Sequence, residues 1–226
     1  MYKLSKRILD LIIATFALIC LLPIFIPSII VLLCTGEHEV FYLQQRIGFK
    51  CKTFSIFKFA TMMKNSLNIG TGDITVRNDP RVFPFGRFLR KTKINELPQI
   101  LNVLCGSMSI VGPRPLTANN FNYYSDKVKT AIGKMKPGIT GIGSVMFRDE
   151  EAYTSAAEDP KAFYKEYITP YKGELEVWYA EHASFILDLK LIFLTAWVII
   201  NPESNLPHNM LKNLPEKPEW MAAKVA

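Results

Sequence analysis

The sequence predicts a helix-rich α+β protein of monotopic type, with a proline-broken re-entrant N-terminal helix, a small β element and interfacial amphipathic helices. Three observations lead there. One long uncharged apolar stretch stands near the N-terminus, and its middle holds two prolines. The rest of the chain is basic and alternates in hydrophobicity over only two short segments. At 226 residues the chain can bury one substantial core beside an anchor and a tail. We divide it into a membrane anchor over residues 1–36, a cytoplasmic domain over 37–200 and an irregular tail over 201–226.

No residue from Leu11 to Gly36 is charged. As one helix this stretch would be about 39 Å long at 1.5 Å per residue, enough to span a bilayer. Lys3, Lys6 and Arg7 precede it, which sets the N-terminus in the cytoplasm. Pro23 and Pro27 each remove a backbone donor and clash with the preceding turn. A break there gives two arms, each ~18 Å long at helical rise, that enter and leave on the same face. The alternative is a kinked single span. Re-entry keeps Arg46, Lys50, Lys52 and Lys58, just beyond the exit, on the cytoplasmic side.

The alternating segments FYLQQ and TFSIFKF predict two strands turning near Gly48. Asn65 to Asp79 is polar and reads as a mobile loop. A helix beginning near Phe85 runs with breaks to Leu104, interrupted at Pro98. GSMSIVGPRP (106–115) is rich in turn formers, Leu116 to Lys136 is helical in pattern, and PGITG (137–141) is a second turn. Lys161 to Tyr179 is amphipathic. His182 to Ile200 is an apolar helix in which only Asp188 and Lys190 are charged. Its uninterrupted run Leu191 to Ile200 is too short to span a bilayer, which suits a helix in the headgroup plane with Trp178 and Trp197 as anchors, or a buried core helix. Four prolines after Asn201 predict the irregular tail.

Lys and Arg outnumber Asp and Glu by 27 to 20, so the partners are anionic: phosphorylated small molecules or membrane lipid headgroups. The basic residues are dispersed without a recognised binding motif, which argues against nucleic acid. Cys20, Cys34, Cys51 and Cys105 have no C-x-x-C spacing, against a disulfide framework or zinc site.

Three turn-rich basic segments have the character of phosphate holders: QQRIG with Arg46, DPR with Asp79 and Arg81, and GPRP with Pro113 and Arg114. A Pro-Arg-Pro turn fixes the backbone around Arg114, whose guanidinium can clasp a phosphate through two parallel hydrogen bonds.

The succession KRILD, the proline-broken apolar segment, FYLQQRIG, KFATM, DPRVFPFGRFLRKTKINELPQILNVL, GSMSIVGPRP, KPGITG and LDLKLIFLT resembles the bacterial sugar transferases, the monotopic phosphoglycosyl or polyprenyl-phosphate hexose-1-phosphate transferases. It covers Lys6 to Thr195. The resemblance implies transfer of a phospho-sugar from a nucleotide diphosphate sugar to undecaprenyl phosphate with Mg2+, on the cytoplasmic face of the inner membrane.

It also implies an Asp-Glu dyad, the Asp attacking the sugar-bearing phosphate and the Glu holding the metal. Here the dyad is Asn95-Glu96. By position Glu96 takes the metal role and Arg114 a phosphate role, while Asn95, a neutral amide, stands where the nucleophile belongs. Lys58, in KFATM, and Glu176, in place of a C-terminal Asp, complete the expected substrate contacts with Arg46, Asp79, Arg81 and Pro113. Ala60, Ser107 and Ser144 stand where the family has a cation, an acid and a glutamine. Three readings follow: direct transfer without a covalent intermediate, a different nucleophile such as Asp73, Asp79 or Asp149, or a non-catalytic member that binds nucleotide sugar or prenyl phosphate as a scaffold or regulator.

Overall fold

A computed structural model of the chain describes residues 2–64, 79–148, 150–155, 157–202 and 204–222. The chain divides into two compact units. The first comprises Met1–Leu9, Arg46–Phe54 and Ser107–Ala226, the second Asp10–Gln45 and Ser55–Gly106.

Helix α1 runs over Tyr2–Cys34 with Pro23 and Pro27 inside it. The expected break therefore does not interrupt the helix. Missing backbone donors at two positions bend a helix rather than end it when the turns on either side remain hydrogen-bonded. The helix is long and apolar enough to cross a membrane, and Ile12, Phe16, Ile19, Ile26 and Ile30 are exposed.

Strands β1 (Phe41–Ile47) and β2 (Thr53–Phe59) pair as the predicted hairpin, of which residues 41–45 and 55–59 belong to the second unit. Ile56 and Phe59, on opposite faces of β2, are both buried. Phe59 meets Phe25 of α1 edge to face at 5.3 Å and stacks on Phe41 at 5.8 Å. Helices α2 (Pro84–Lys91) and α3 (Gln99–Leu104) follow, separated by a 3-10 turn at Ile94–Glu96. Pro84 opens α2, where its fixed φ and missing N–H cost nothing. Asn102 of α3 is buried and docks on β2: its Oδ1 accepts the Phe57 N–H at 2.9 Å and its Nδ2 donates to the Ser55 carbonyl at 2.8 Å.

In the first unit, β3 (Ser109–Val111) and β4 (Gly138–Thr140) form a parallel pair, Ser109 opposite Gly138 and Val111 opposite Thr140. Both were expected to be turns. Each is only three residues long and lies among glycines and prolines, too short for an alternating pattern to register. The pair packs tightly: a Cβ at Gly112 would lie 2.3 Å from the Lys136 carbonyl oxygen.

The helices of this unit are α4 (Ala118–Asn122), α5 (Asp126–Gly133), α6 (Ile142–Met146), α7 (Glu150–Ser155), α8 (Pro160–Phe163), α9 (Thr169–His182) and α10 (Phe185–Ile200). Thr117 and Ser125 cap α4 and α5 by accepting backbone N–H groups. Leu116, Tyr124, Val128 and Ile132 form a core cluster joined by Val177 of α9. A π-helical turn at Tyr164–Ile168 joins α8 to α9.

Helix α10 is two-faced although apolar apart from Asp188, Lys190 and Thr195. Leu187, Leu191, Leu194 and Val198 are buried, whereas Ile186, Leu189, Phe193, Trp197 and Ile200 are exposed. Asp188, on the buried side, accepts from Tyr2 (2.9 Å), Lys6 (2.7 Å) and Tyr179 (2.6 Å) and so fastens the first turns of α1.

The tail is less irregular than expected. It forms α11 (Leu206–Met210) and α12 (Glu219–Ala222) and buries Leu211 and Met221. Trp220 packs edge-on against Tyr153 and Phe163, at 5.6 and 5.5 Å. The loop expected over Asn65 to Asp79 lies outside the described residues up to position 78, Asp73 included; Asp149 lies outside them as well.

Replacing Asn102 with Ala leaves a backbone donor and a carbonyl of β2 without their partners. The expected loss is about 1–3 kcal/mol for such a buried group. A clear drop in unfolding temperature in detergent, compared with an exposed Asn122→Ala control, checks it.

Candidate active site

The 3-10 turn that presents the dyad position starts from a left-handed residue. Lys93 has φ +60°, an uncommon conformation for a residue with a side chain and one that costs free energy held in place by its surroundings. It turns the chain so that Asn95 faces inward and Glu96 outward. Asn95 is buried, and its Oδ1 has no hydrogen-bond partner. The Glu96 side chain is 39% exposed and accepts from Lys58 Nζ of β2 at 3.1 Å. Arg90 of α2 is half-buried, and that burial lowers its pKa against the opposing pull of Asp79 and Glu96. The second unit thus brings Lys58, Asn95 and Glu96 together.

Asp79 and Arg81 are used differently from the expectation. Arg81 Nε donates to Asp79 Oδ1 at 2.8 Å and Arg81 Nη2 to Oδ2 at 2.6 Å, while the Arg81 backbone N–H also meets Oδ1 at 3.0 Å. Both residues are buried. The Asp-Pro-Arg turn folds its acid onto its own base, and the fork that would clasp a phosphate clasps the carboxylate instead. In this structure the two side chains expected as substrate contacts are engaged with each other.

In the first unit, Arg114 is exposed at the end of the β3 turn while Pro113 and Pro115 are buried. The Pro113 carbonyl accepts the Gly138 N–H at 2.9 Å, which ties the turn to β4. Arg46 of β1 belongs to the same neighbourhood. Burial pushes the Tyr164 hydroxyl up and Glu150 adds to this, while Arg114 and Arg46 oppose it. Two of the sequence-selected arginines are therefore within electrostatic reach of Tyr164 in the π-helical turn.

Glu176 of α9 is buried, and Arg114 donates its backbone N–H to the carboxylate. Lys172, one turn earlier, pairs with Glu150 and lies over the Phe147 and Tyr164 rings at 5.5 and 5.9 Å. Burial lowers the Lys172 pKa and Glu150 opposes that.

Lys172, Glu150 and Tyr164 were not selected from the sequence. The available signal was the Lys172/Glu176 spacing of four on a helix, which puts both on one face. Ala60, at the position of a family cation, is buried and donates its N–H to the Val40 carbonyl at 2.9 Å.

The bacterial sugar transferase family model matches residues 1–202. The sugar transferase EpsL of Bacillus subtilis is 35% identical over 198 residues, 88% of each chain. The exopolysaccharide production protein ExoY of Sinorhizobium fredii is 31% identical over 85% of this chain and 84% of its own. The UDP-glucose:undecaprenyl-phosphate glucose-1-phosphate transferase of Escherichia coli is 34% identical over 86% of this chain, which spans only 40% of that longer protein. On this match, and on the dyad turn and GPRP turn described above, the chain belongs to the bacterial sugar transferase family, a family of phosphoglycosyl transferases.

Proposed function

We propose that the chain transfers a sugar-1-phosphate from a nucleotide diphosphate sugar to undecaprenyl phosphate, as the first membrane step of a bacterial surface glycoconjugate pathway. The observation that carries this is Glu96, an exposed carboxylate tethered by Lys58 at the ELPQ turn of a family member. The activities named for the relatives in Escherichia coli and Salmonella typhimurium, glucose and galactose phosphotransfer to undecaprenyl phosphate, support a hexose donor of the same class.

Asn95 governs the route. Its amide nitrogen is delocalised into the carbonyl and its oxygen is a weak nucleophile, so no phospho-sugar ester forms on it. The lipid phosphate oxygen attacks the sugar-bearing phosphorus directly, and the bond to the nucleoside monophosphate breaks. What the protein supplies is position and charge. Arg114 clasps the diphosphate, Arg46 adds positive charge beside it, and Lys58 holds Glu96 in place.

Mg2+ suits this donor set. Among the described residues no three acidic, His or Cys side chains cluster, but Mg2+ is ordinarily held by one or two carboxylates together with substrate phosphates. Glu96 is the residue that would hold it, and the ion would neutralise charge developing on the diphosphate.

A second reading, a scaffold that binds nucleotide sugar or prenyl phosphate without turnover, is favoured by the same Asn95. Purified protein in detergent, given a panel of nucleotide sugars, undecaprenyl phosphate and Mg2+, is expected to release nucleoside monophosphate. Binding without release would hand the function to the scaffold reading.

The membrane arrangement follows from two apolar surfaces. We take α1 as the membrane element, with Pro23 and Pro27, which lack backbone donors, favouring a kink that returns the chain to the cytoplasmic face, and the exposed side of α10 as lying in the interface with Trp197 at headgroup level. Cys20, Cys34, Cys51 and Cys105 are free and exposed, so labelling starts from a variant with all four replaced by Ser. Cysteines introduced at Lys52 or Lys127 are expected to resist an impermeant thiol reagent in intact cells, and ready labelling would mean that α1 spans.

Arg114→Ala is expected to weaken binding of a nucleotide diphosphate by about 1.5–3 kcal/mol, the range for a hydrogen bond to a charged group. Unchanged affinity by calorimetry would remove Arg114 from the site.

Direct transfer has its own kinetic signature. Both substrates must be bound together, and Glu96→Gln is expected to abolish turnover. Asn95→Asp is expected to create a covalent phospho-sugar adduct and a ping-pong pattern. An adduct trapped on the unaltered protein by mass spectrometry would refute the direct route and identify the acid responsible.

A further inference from the structure

Glu176 is the most deeply enclosed carboxyl beside the Arg114 turn. It is 3% exposed, and its Oε2 has no hydrogen-bond partner. The Arg114 backbone N–H donates to the carboxylate. Helix α6 presses on it from another side, where a Cβ at Gly143 would lie 2.8 Å from Glu176 Oε1 and 3.4 Å from Lys172 Cε. The other charged and titratable neighbours are Lys172 on α9, Glu150 on α7, Tyr124 before α5, and Tyr164 and Arg46 around the π-helical turn. Lys172 is already engaged by Glu150. An ionised Glu176 is thus desolvated and incompletely compensated.

This carboxyl has two jobs that are separable. Through the main chain it holds the rigid turn from which the Arg114 guanidinium projects. Through its charge it sets the field there. With Glu176 ionised, the charges of Arg114, Lys172, Glu150 and Glu176 cancel; with it protonated, one positive charge remains.

We propose that Glu176 is a positioning residue that tunes the anion affinity of the Arg114 turn, and that binding a nucleotide diphosphate sugar draws a proton onto it. This deepens the function proposed above and rests on Arg114 taking the diphosphate. Burial pushes the Glu176 carboxyl up to about 7, with Lys172 and the Arg114 N–H pulling it down. The raised value means that the protonated, more positive state grows as pH falls through neutrality. A bound diphosphate penalises the ionised form further, so by linkage affinity rises as pH falls and protons are taken up on binding.

The test is calorimetric titration of the full chain in detergent with UDP-glucose, whose diphosphate is esterified at both ends and keeps its charge between about pH 6 and 8. Two buffers of different ionisation heat report the protons exchanged. The expected result is roughly fivefold or greater tightening from pH 8 to pH 6, with net proton uptake near neutrality. Glu176→Gln, which still accepts the Arg114 N–H but carries no charge, is expected to bind at the tight end and lose most of the pH dependence.

A flat profile without proton uptake in the unaltered protein overturns the proposal with no variant needed. So does an unchanged profile in Glu176→Gln, which would assign the titration to another group. Lack of nucleoside monophosphate release, with pH-linked binding intact, sinks the transferase reading and leaves this one standing. No binding of UDP-glucose at any pH overturns both.

Discussion

The dyad turn depends on a side-chain amide that takes the place of a strand. Asn102 offers β2 one donor and one acceptor, which is what a neighbouring strand would offer at that point in the ladder. The residues it grips, Ser55 and Phe57, lie immediately before Lys58, and Asn102 itself sits six residues beyond Glu96. One buried contact therefore sets the distance between a lysine and a glutamate that are 38 residues apart in sequence. An ion pair that is only part-buried contributes little by itself. Its geometry is inherited from the buried amide, whose loss would leave main-chain groups unsatisfied at larger cost.

Much of this was legible in the residues. The hairpin showed its alternation, the apolar N-terminal helix its lack of charge, and the break at Pro98 its local chemistry. What escaped was set by long-range packing. Strands β3 and β4 are three residues each, and only their pairing across the Gly112 close approach makes them strands. The prolines of α1 were read as a stop, yet helical hydrogen bonds on both sides carry the helix through them. Trp220 and Met221 pack the tail because aromatic partners at Tyr153 and Phe163 await it, which no local pattern announces.

The candidate site was legible by residue type more than by role. Arg46, Arg114 and Glu176 do gather in one neighbourhood, as do Lys58, Asn95 and Glu96. Asp79 and Arg81 were selected because a basic turn can hold phosphate. The intervening Pro80 instead lets the acid reach back to the guanidinium, and burial makes that pair a structural fork. An arginine in a turn is informative only once the location of the nearest carboxylate is known.

Asn95 is the point at which local and global consistency part. The turn retains its strained Lys93, its burial and its outward-facing Glu96, all features that would serve a buried acid. An amide in that position leaves its oxygen unsatisfied, a cost that a neutral core residue would avoid. The strained turn presents Glu96, which Lys58 tethers. Presentation of one tethered carboxylate needs the Lys93 geometry whether or not its neighbour can attack phosphorus. A chain relieved of all chemistry would have no physical reason to hold a left-handed lysine and an unpartnered amide at the same turn, since relaxing either would raise its stability.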